Sequence, residues 1–358
     1  MPSLKEIKGR INSISSTLAI TSAMKMVAAA KLQKAQMAIQ NMLPYERRLH
    51  SMLIDLMGAM NISAAASEDG SVRGSGSAER GFDQSGDRLS LSNRHDLAGM
   101  DGAYSLMAQR EVRKVAIVAF ASNSSLCGAF NSNVIREATA VINEYRASGL
   151  GDADIVVYSV GRKMAEAMRK LGFPSPADFT KMSDSPSYEA ASALAQELLD
   201  GFVSGRFDKV ELVYNHYKST SSQPTTRQTY LPLSLADAIA DLQAGKIADS
   251  ASESDTNRGT EPVGAPVVRQ GSPTTEDLIV EPSKEALIAT LLPKVIRLRI
   301  FTTLLDSAAA EHAARTVAMQ LATDNGNDLL QELTLEYNKG RQQKITSEIL
   351  DLVGGSMQ

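Results

Sequence analysis

The sequence of 358 residues contains no tryptophan and one cysteine, Cys127. A single cysteine cannot form an internal disulfide and suits a reducing compartment, and the scattered histidines give no ligand spacing for a metal ion. No apolar run approaches the roughly 20 residues that a membrane-spanning helix needs. We therefore expect a chain without internal disulfides, without a bound metal ion and without a membrane span. The helical pattern starts at once, so we also expect no signal or transit segment.

The sequence lacks the motifs that accompany nucleotide chemistry. Neither a lysine-bearing phosphate loop nor a G-x-G-x-x-G follows any predicted strand. Cys127 lies in a strand-to-helix loop, where a nucleophile could sit, but it would need a positioned base. The four histidines are His50, His95, His216 and His312, and only His216 could lie near enough. We interpret Cys127 as a buried structural residue and predict no catalytic site, with an enzyme in this region as the alternative.

Strong charge of either sign is missing from the chain as a whole, whose formal net charge is −4 with an isoelectric point near 5.7. This balance argues against a dedicated nucleic-acid-binding protein, so we predict no nucleic-acid partner. The charge is unevenly distributed. Residues 1–50 contain eight Lys and Arg against two Glu, a net +6, so the remainder carries −10. A basic amino-terminal segment on an acidic body predicts an acidic partner surface.

Apolar residues in the first sixty positions recur with a period of seven. Two rows, three residues apart, occupy the positions that a coiled coil buries, and Thr21, Lys25 and Glu46 are the polar interruptions. The first row is Leu4, Ile11, Leu18, Lys25, Leu32, Ile39, Glu46, Leu53 and Met60, and the second is Ile7, Ile14, Thr21, Ala28, Ala35, Met42, Leu49 and Leu56. Pro44 falls on the outward side and should bend the helix without entering the seam. We predict a coiled-coil helix over residues 1–61, roughly 80 Å long at ~1.5 Å per residue.

The middle of the chain alternates between strand and helix patterns. Strands are predicted at 113–121, 153–161, 207–219 and 224–233, the last as an edge strand, and helices at 132–147, 162–172 and 187–204. This alternation predicts a Rossmann-like α/β domain over 109–240 with a parallel or mixed sheet and helices on its faces. Polar stretches flank this domain. We predict a low-complexity insertion at 62–108 and a polar linker at 241–276.

A second long helix is predicted over 277–358, with Ser283 as its amino-terminal cap. Its heptad seam steps by three and four through Leu298, Phe301, Leu305, Ala308, His312, Arg315, Met319, Ala322, Gly326, Leu329 and Leu333. Beyond Leu333 the apolar step becomes four, which predicts that the tip leaves its partner. Because the two end helices have no other predicted partners, we expect an antiparallel coiled coil that projects from the α/β domain. A scaffold or adaptor coiled coil is the second alternative, although its tip would not need to be so polar.

Three separated motifs resemble the gamma subunits of F-type ATP synthases. They are ITSAMKMVAAAKLQKAQ at 20–36, SLCGAFN at 125–131 and ATDNGNDLLQELTLEYNKGRQQKITSEILDLVGG at 322–355. The carboxyl-terminal pattern of that family is met by Ile345, Thr346, Glu348, Asp351 and Gly355, with Ser356 in place of the usual alanine. Three motifs in the right order are far more specific than one short pattern. The resemblance covers both end helices and the central domain.

The resemblance implies the central rotor shaft of the F1 sector, one copy inside a ring of three alpha and three beta subunits. Its globular end would sit with the epsilon subunit on the membrane ring of c subunits. Proton flow would turn the shaft, and the shaft would drive ATP synthesis at the nucleotide sites in turn. The chain would then be a non-catalytic, peripheral membrane subunit on the cytoplasmic face of the bacterial plasma membrane. It would bind no cofactor, because ATP, ADP and Mg²⁺ would be bound by the partner subunits.

The motif at 20–36 is helical but poor in bulky residues, which suits a rotating contact. Large anchors in matched pockets would hold one orientation, whereas Ala contacts without interlocking and Met packs against changing neighbours. The resemblance implies contacts with the alpha/beta ring from Met24, Lys25, Met26, Lys31, Lys34, Arg341, Gln342, Thr346 and Glu348. The predicted coiled-coil seam includes Leu18, Ala28, Leu32, Ala35, Leu305, Met319 and Leu333. The alternative is that the contact residues are only the solvated face of a coiled coil.

Overall fold

Two long helices at the ends of the chain dominate the structure. The computed structural model describes residues 3–68, 106, 110–233, 281 and 283–355. Helix α1 (Leu4–Glu68) has 65 residues and helix α6 (Lys284–Gly355) has 72. Helix α1 continues past the predicted boundary at residue 61 into the segment predicted as an insertion. Most of that insertion and the whole predicted linker at 241–276 lie outside the described residues.

Both long helices begin at a serine that accepts a backbone hydrogen bond. The Ser283 hydroxyl accepts from the Ala286 amide at 3.1 Å, and the Ser3 hydroxyl accepts from the Glu6 amide at 3.3 Å. Each serine thereby satisfies an amide that the first helical turn leaves without a carbonyl partner. The predicted cap at Ser283 is confirmed.

A small α/β head lies between the two helices in the sequence. Its first strand, β1, reads VAIVAF and is buried along its whole length, as expected for a parallel strand covered on both faces. The strands are β1 (Val115–Phe120), β2 (Ile155–Val160), β3 (Lys209–Asn215) and β4 (Thr225–Leu231). The helices are α2 (Phe130–Ala147), α3 (Arg162–Lys170), α4 (Thr180–Asp184) and α5 (Tyr188–Val203), with a 3₁₀ turn at Asp152–Asp154. The short helix α4 was not predicted.

The four strands form one mixed sheet in the order β2-β1-β3-β4. Strand β1 pairs in parallel with β2 on one side and with β3 on the other, so Val115 faces both Ile155 and Lys209. Strand β4 runs antiparallel to β3 at the edge. The prediction of a mixed sheet with an edge strand at 224–233 is confirmed.

The head and the long helices share one hydrophobic core. On one face of the sheet, Leu49, Leu53 and Leu56 of α1 pack in the same cluster as Leu292 and Ile296 of α6. The other face is covered by α2 and α3, which bury side chains against the sheet. The last described side chains of α1 and the first turns of α6 are therefore part of the head, and the paired helices are anchored in its interior.

A buried charge network ties the edge strand β4 to the rest of the head. The carboxylate of Glu211 on β3 accepts from the Arg227 guanidinium at 2.7 and 3.1 Å, from the Tyr145 hydroxyl at 2.7 Å and from the Lys209 ammonium at 2.7 Å. Burial opposes the charge of Glu211, but the hydrogen bonds from these three groups together hold its pKa below the ordinary value. Glu211 is therefore ionised and fully partnered inside the head.

Candidate functional site

The two long helices pair in an antiparallel register that small residues allow. A Cβ atom added at Gly340 would lie 3.2 Å from Leu4 Cδ2, and one added at Gly326 would lie 2.6 Å from Leu18 Cδ2. The Thr323 hydroxyl donates to the Thr21 hydroxyl at 3.1 Å. Residues further toward the carboxyl end of α1 therefore face residues nearer the amino end of α6. The predicted antiparallel coiled coil is confirmed, and its helices approach closely where glycine faces leucine.

The heptad rows of α1 lie against α6 or the head. Every row position whose side chain is described, from Leu4 to Leu56, is buried or half-buried. Among the predicted seam residues, Ala28 and Leu32 are buried and Leu18 and Ala35 are half-buried. Leu32 packs with Ala309 and Ala313 of α6. On α6 itself, Leu305 and Met319 are buried and Leu333 is half-buried.

The predicted seam of α6 is wrong at two positions beyond Met319, whereas the predicted Gly326 and Leu333 are half-buried. Ala322 and Leu329 are exposed, and Thr323 and Leu330 take the inward positions. Gly326 faces Leu18, and Thr21 lies three residues further along α1. Because the helices are antiparallel, the residue of α6 that faces Thr21 lies three residues before Gly326, which is Thr323 and not Ala322. The seam therefore steps by four after Met319 and then by three. Gly326 and Gly340 lie two heptads apart and so occupy the same heptad position. This spacing is the feature of the sequence that could have indicated the correct phase of the seam.

The same shift occurs where α6 passes the head. Leu32 packs in one cluster with Ala309 and Ala313, which lie one residue beyond the predicted Ala308 and His312. Ala308 is nevertheless buried, and it lines a small gap together with Phe120 and Val160 of the head.

The tip of α6 extends beyond the start of α1. Helix α1 begins at Leu4, which faces Gly340, and all side chains from 341 to 350 are exposed. The exposed tip includes Ile345, Ile349 and Leu350. The tip leaves its partner as predicted, but the cause is the end of α1 rather than the changed apolar spacing.

We call the paired helices α1 and α6 outside the head the shaft. The residues predicted to contact the alpha/beta ring fall into two groups at different heights of the shaft. In the first group Met26, Lys31 and Lys34 are exposed and Met24 and Lys25 are half-buried. The second group, Arg341, Gln342, Thr346 and Glu348, is exposed on the tip. The Thr346 hydroxyl donates to the Gln342 carbonyl at 2.9 Å, and Glu348 lies 3.8 Å from Lys344. Since residue 24 lies near the level of residue 320, roughly 20 residues of α6, or about 30 Å, separate the groups.

The loop that carries Cys127 packs against the shaft. Cys127 is buried, and its Sγ lies 3.1 Å from Asn131 Nδ2 and 3.7 Å from Ser122 Oγ. Together with Phe130 it contacts Ala310 of α6. His216 is held by the Asp306 carboxylate at 2.6 Å. The contacts of Cys127 are those of a packing residue. Within the described chain, no group of three or more His, Cys, Asp and Glu side chains could hold a metal ion.

A second junction joins the head to both helices through the segment after β3. His216 Nδ1 lies 2.6 Å from one oxygen of Asp306 on α6, and the Tyr217 amide donates to the other at 2.9 Å. The hydrogen bond to Asp306 raises the pKa of His216. Gln36 of α1 donates to the Tyr217 hydroxyl at 2.6 Å. Heptad reasoning could not find these contacts, because they join distant segments without a shared period.

Ionised groups also meet where α6 passes the Cys127 loop. Arg315 donates to Glu311 at 2.7 Å and to the Ser124 hydroxyl at 2.7 Å. Burial raises the pKa of Glu311, and burial together with the charges of Arg315 and Lys31 lowers the pKa of His312 to about 4. His312 is therefore neutral near pH 7, and Arg315 connects the shaft to the head.

The geometry defines a class of protein, which comparisons with known sequences make specific. Paired end helices rooted in an α/β head form a two-helix shaft on a globular base, and none of the described helices is long and apolar enough to span a bilayer. The profile of the family described as ATP synthase matches residues 3–357. The chain is 47% identical over 357 residues to the ATP synthase gamma chain of Phocaeicola vulgatus, with 100% of each chain covered. It is 36% identical to the ATP synthase gamma chain of Flavobacterium johnsoniae, with 99% of this chain and 98% of the relative covered.

Solved structures share the fold. A chain of the Euglena gracilis mitochondrial ATP synthase, in a structure of its OSCP, F1 and c-ring, aligns with a TM-score of 0.52 and 18% identity over 99% of this chain and 93% of that chain. A chain from the rotor of the same enzyme gives a TM-score of 0.50 over 96% and 98%. This chain belongs to the ATP synthase gamma-chain family, as the sequence motifs predicted, and has the central-stalk role of that family.

Proposed function

We propose that this chain is the rotor shaft that couples proton flow through a membrane ring to ATP synthesis, or to hydrolysis in the reverse direction, at sites on surrounding subunits. Family membership supports the proposal. The observation that carries it is the common core of head and shaft, in which Leu53 of α1 and Leu292 of α6 pack in one cluster. A torque applied to the head reaches both helices through packed side chains, which deform little.

Contacts outside the core strengthen the connection between head and shaft. The pairs Arg315–Ser124 and His216–Asp306 join the head to α6, and the pair Gln36–Tyr217 joins the head to α1. Because these contacts join two separate segments of the head to both long helices, a rotation of the head relative to the shaft must break several of them together.

The shaft in this proposal turns inside three alpha and three beta subunits, with one copy of this chain. Met26, Lys31 and Lys34 are exposed, and the tip residues Arg341 and Gln342 are exposed as well, which leaves them available for a partner. Exposed ion pairs contribute about 0–1 kcal/mol each, so such contacts can be exchanged at every step. The remaining residues proposed for ring contact are Met24, Lys25, Thr346 and Glu348.

The shaft drives the nucleotide sites only if its contacts differ in free energy between the open and closed forms of each site. The exposed tip beyond Gly340 is a single helix, whereas the shaft below it is a pair. A pair of different helices has no three-fold symmetry about the shaft axis, so the surface offered to the three catalytic subunits differs from one subunit to the next, as such a mechanism requires.

The head in this proposal binds the epsilon subunit and the ring of c subunits. The chain is then a peripheral membrane protein on the cytoplasmic face of the bacterial inner membrane. It binds no cofactor of its own, and the partner subunits hold ATP, ADP and Mg²⁺. The family relation supports these assignments.

A reversible lock tests torque transmission. Met26 is 65% exposed whereas the native Cys127 is buried, so a Met26→Cys variant offers one reactive thiol. We expect a disulfide between this thiol and a cysteine introduced in the surrounding ring to abolish proton-coupled ATP synthesis in membrane vesicles, and reduction to restore it. The Met26→Cys variant without the ring cysteine, oxidised in the same way, is the control.

Continued synthesis at the full rate with the lock closed would contradict the proposal. A lock at Ile349 on the tip is the matched comparison, because it holds the single helix alone. The subunit composition of the native complex gives an independent check, with one copy of this chain expected for three copies each of two nucleotide-binding subunits. A stable homodimer without such partners would reject the shaft role.

A further inference from the structure

We propose that a cleft on the head binds a small phosphate-bearing ligand, a property that goes beyond the shaft function. The cleft has a volume of about 520 Å³ and lies between helix α3 and the segment 174–179, with Ser159 of β2 among its lining residues. We call it the α3 cleft. Its volume is within the range of small-molecule sites, and it lies near the carboxyl end of a parallel strand, where α/β folds commonly bind ligands.

The wall opposite α3 is held in place before any ligand arrives. The Ser175 hydroxyl accepts from the Ser159 amide at 3.2 Å and donates to the Ala177 carbonyl at 2.9 Å. Asp178 accepts from the Thr180 amide at 2.9 Å, and the Phe179 ring packs 6.0 Å from the Tyr158 ring. A preformed wall lowers the entropy that binding must lose.

Three side-chain donors that line the cleft, those of Ser159, Arg162 and Arg169, lack strong partners. Ser159 is 1% exposed, and its hydroxyl has no hydrogen-bond partner within the described chain. The Arg169 side chain makes no hydrogen bond or ion pair with any described residue, and Arg162 approaches Glu166 only to 3.9 Å. Buried hydroxyl groups are normally paired, so an unpaired one beside two arginines points to an acceptor that the chain does not supply.

The acidic groups and the helix amides of the cleft, in contrast, are already engaged. Glu166 lies 3.5 Å from Lys163, and the backbone hydrogen bond from Thr180 holds the pKa of Asp178 below its ordinary value. The first amide of α3, that of Arg162, donates to Asn123 at 2.8 Å. The available groups are therefore side-chain donors, and they call for an anionic acceptor at the arginine side.

Phosphate fits this set of groups. A guanidinium presents paired donors that match phosphate oxygens. Phe179, Ala165 and Pro174 provide an apolar wall beside the arginines. A phosphate monoester with a planar ring would use both parts of the cleft, with its anion at Arg169 and its ring at Phe179.

The test is calorimetric titration of the full chain at low salt with adenosine monophosphate and with inorganic phosphate. We expect adenosine monophosphate to bind with a dissociation constant in the millimolar range or below and about tenfold more tightly than inorganic phosphate. We expect Arg169→Gln to weaken binding about tenfold and Ser159→Ala to weaken it several-fold. Lys170→Gln is the matched control, because Lys170 is the exposed neighbour on α3 and does not line the cleft.

Three results would overturn the proposal. They are the absence of binding of both probes at 10 mM, an equal loss of affinity in Lys170→Gln and Arg169→Gln, and equal affinity for the two probes, which would remove the role of the apolar wall. Arg169 is exposed, so its substitution leaves the core intact, and unchanged circular dichroism of the Ser159→Ala variant separates lost binding from lost folding.

Discussion

Identical substitutions at two seam glycines are expected to change stability in opposite directions. At Gly326 an added Cβ would lie 2.6 Å from Leu18 Cδ2 and 3.1 Å from its Cγ, whereas at Gly340 the nearest atom, Leu4 Cδ2, would lie 3.2 Å away. Carbon atoms pack at about 3.5–4.0 Å. Leu18 must therefore move to accept Gly326→Ala, while a small shift of the Leu4 tip accepts Gly340→Ala.

The magnitudes follow from two opposing contributions. Alanine is favoured over glycine inside a helix by about 1 kcal/mol, and overpacking costs about 1–3 kcal/mol. At Gly326 the overpacking is at least as large as the gain, so we expect a loss of about 0–2 kcal/mol. At Gly340 the gain dominates, and we expect stabilisation of up to about 1 kcal/mol.

Urea unfolding followed by far-ultraviolet circular dichroism measures these changes, because the two long helices contribute most of the helical signal. The double variant Leu18→Ala with Gly326→Ala removes the clash, so we expect it to be more stable than the sum of the single changes by about 1 kcal/mol. Additive effects in this cycle, or the same shift for Gly326→Ala and Gly340→Ala, would refute the packing argument.

Three further predictions concern the head and its junction with the shaft. Glu211→Gln leaves Arg227 with only the exposed Glu144 as counter-charge and should cost about 1–3 kcal/mol in urea unfolding. Because the pKa of Glu211 is lowered in the folded state, its contribution to stability is present above the ordinary carboxyl pKa and is lost as the pH falls through the lowered pKa. A variant that keeps this acid dependence would contradict the assignment. The pKa of His216 is raised, so the stabilisation from its pair with Asp306 is complete below the ordinary histidine pKa and is lost as the pH rises through the raised pKa. An NMR titration of His216 should show a lower midpoint in Asp306→Asn, and an unchanged midpoint would exclude the pair as the cause of the raised pKa. Tyr217→Phe removes the hydroxyl that accepts the hydrogen bond from the Gln36 side-chain amide, so it should lower the free energy of unfolding by about 1 kcal/mol and speed hydrogen exchange in the adjacent turns of α1. Unchanged exchange in those turns would show that this hydrogen bond does not restrain α1.

The elements with a strong period could be predicted from the sequence. The heptad rows from Leu4 to Leu56 identify the inward face of α1, because a coiled coil buries the same two positions of every heptad. The alternation of apolar strands and amphipathic helices likewise predicts the mixed sheet, with the fully apolar run at Val115–Phe120 as its interior strand. The short helix α4 has too few residues for a period to appear.

The phase of α6 and the junction contacts could not be predicted in the same way. Steps of three and four fit both Ala322 and Thr323, and the choice between them depends on what faces Leu18 from the other helix. Pairs such as His216 and Asp306 depend on where two distant segments meet. The residues proposed to contact partner subunits present a different limit, since exposure in one chain does not reveal which surface covers it.

The pairing of Leu4 with Gly340 also has a consequence for biosynthesis. The ribosome releases the amino-terminal helix first, yet its seam acquires a partner only when nearly the whole polypeptide has been made. Contacts between such distant positions form late, and apolar surface that waits for its partner favours aggregation. A nascent product that stops before the last helix keeps that seam uncovered, so only completed chains can form the shaft.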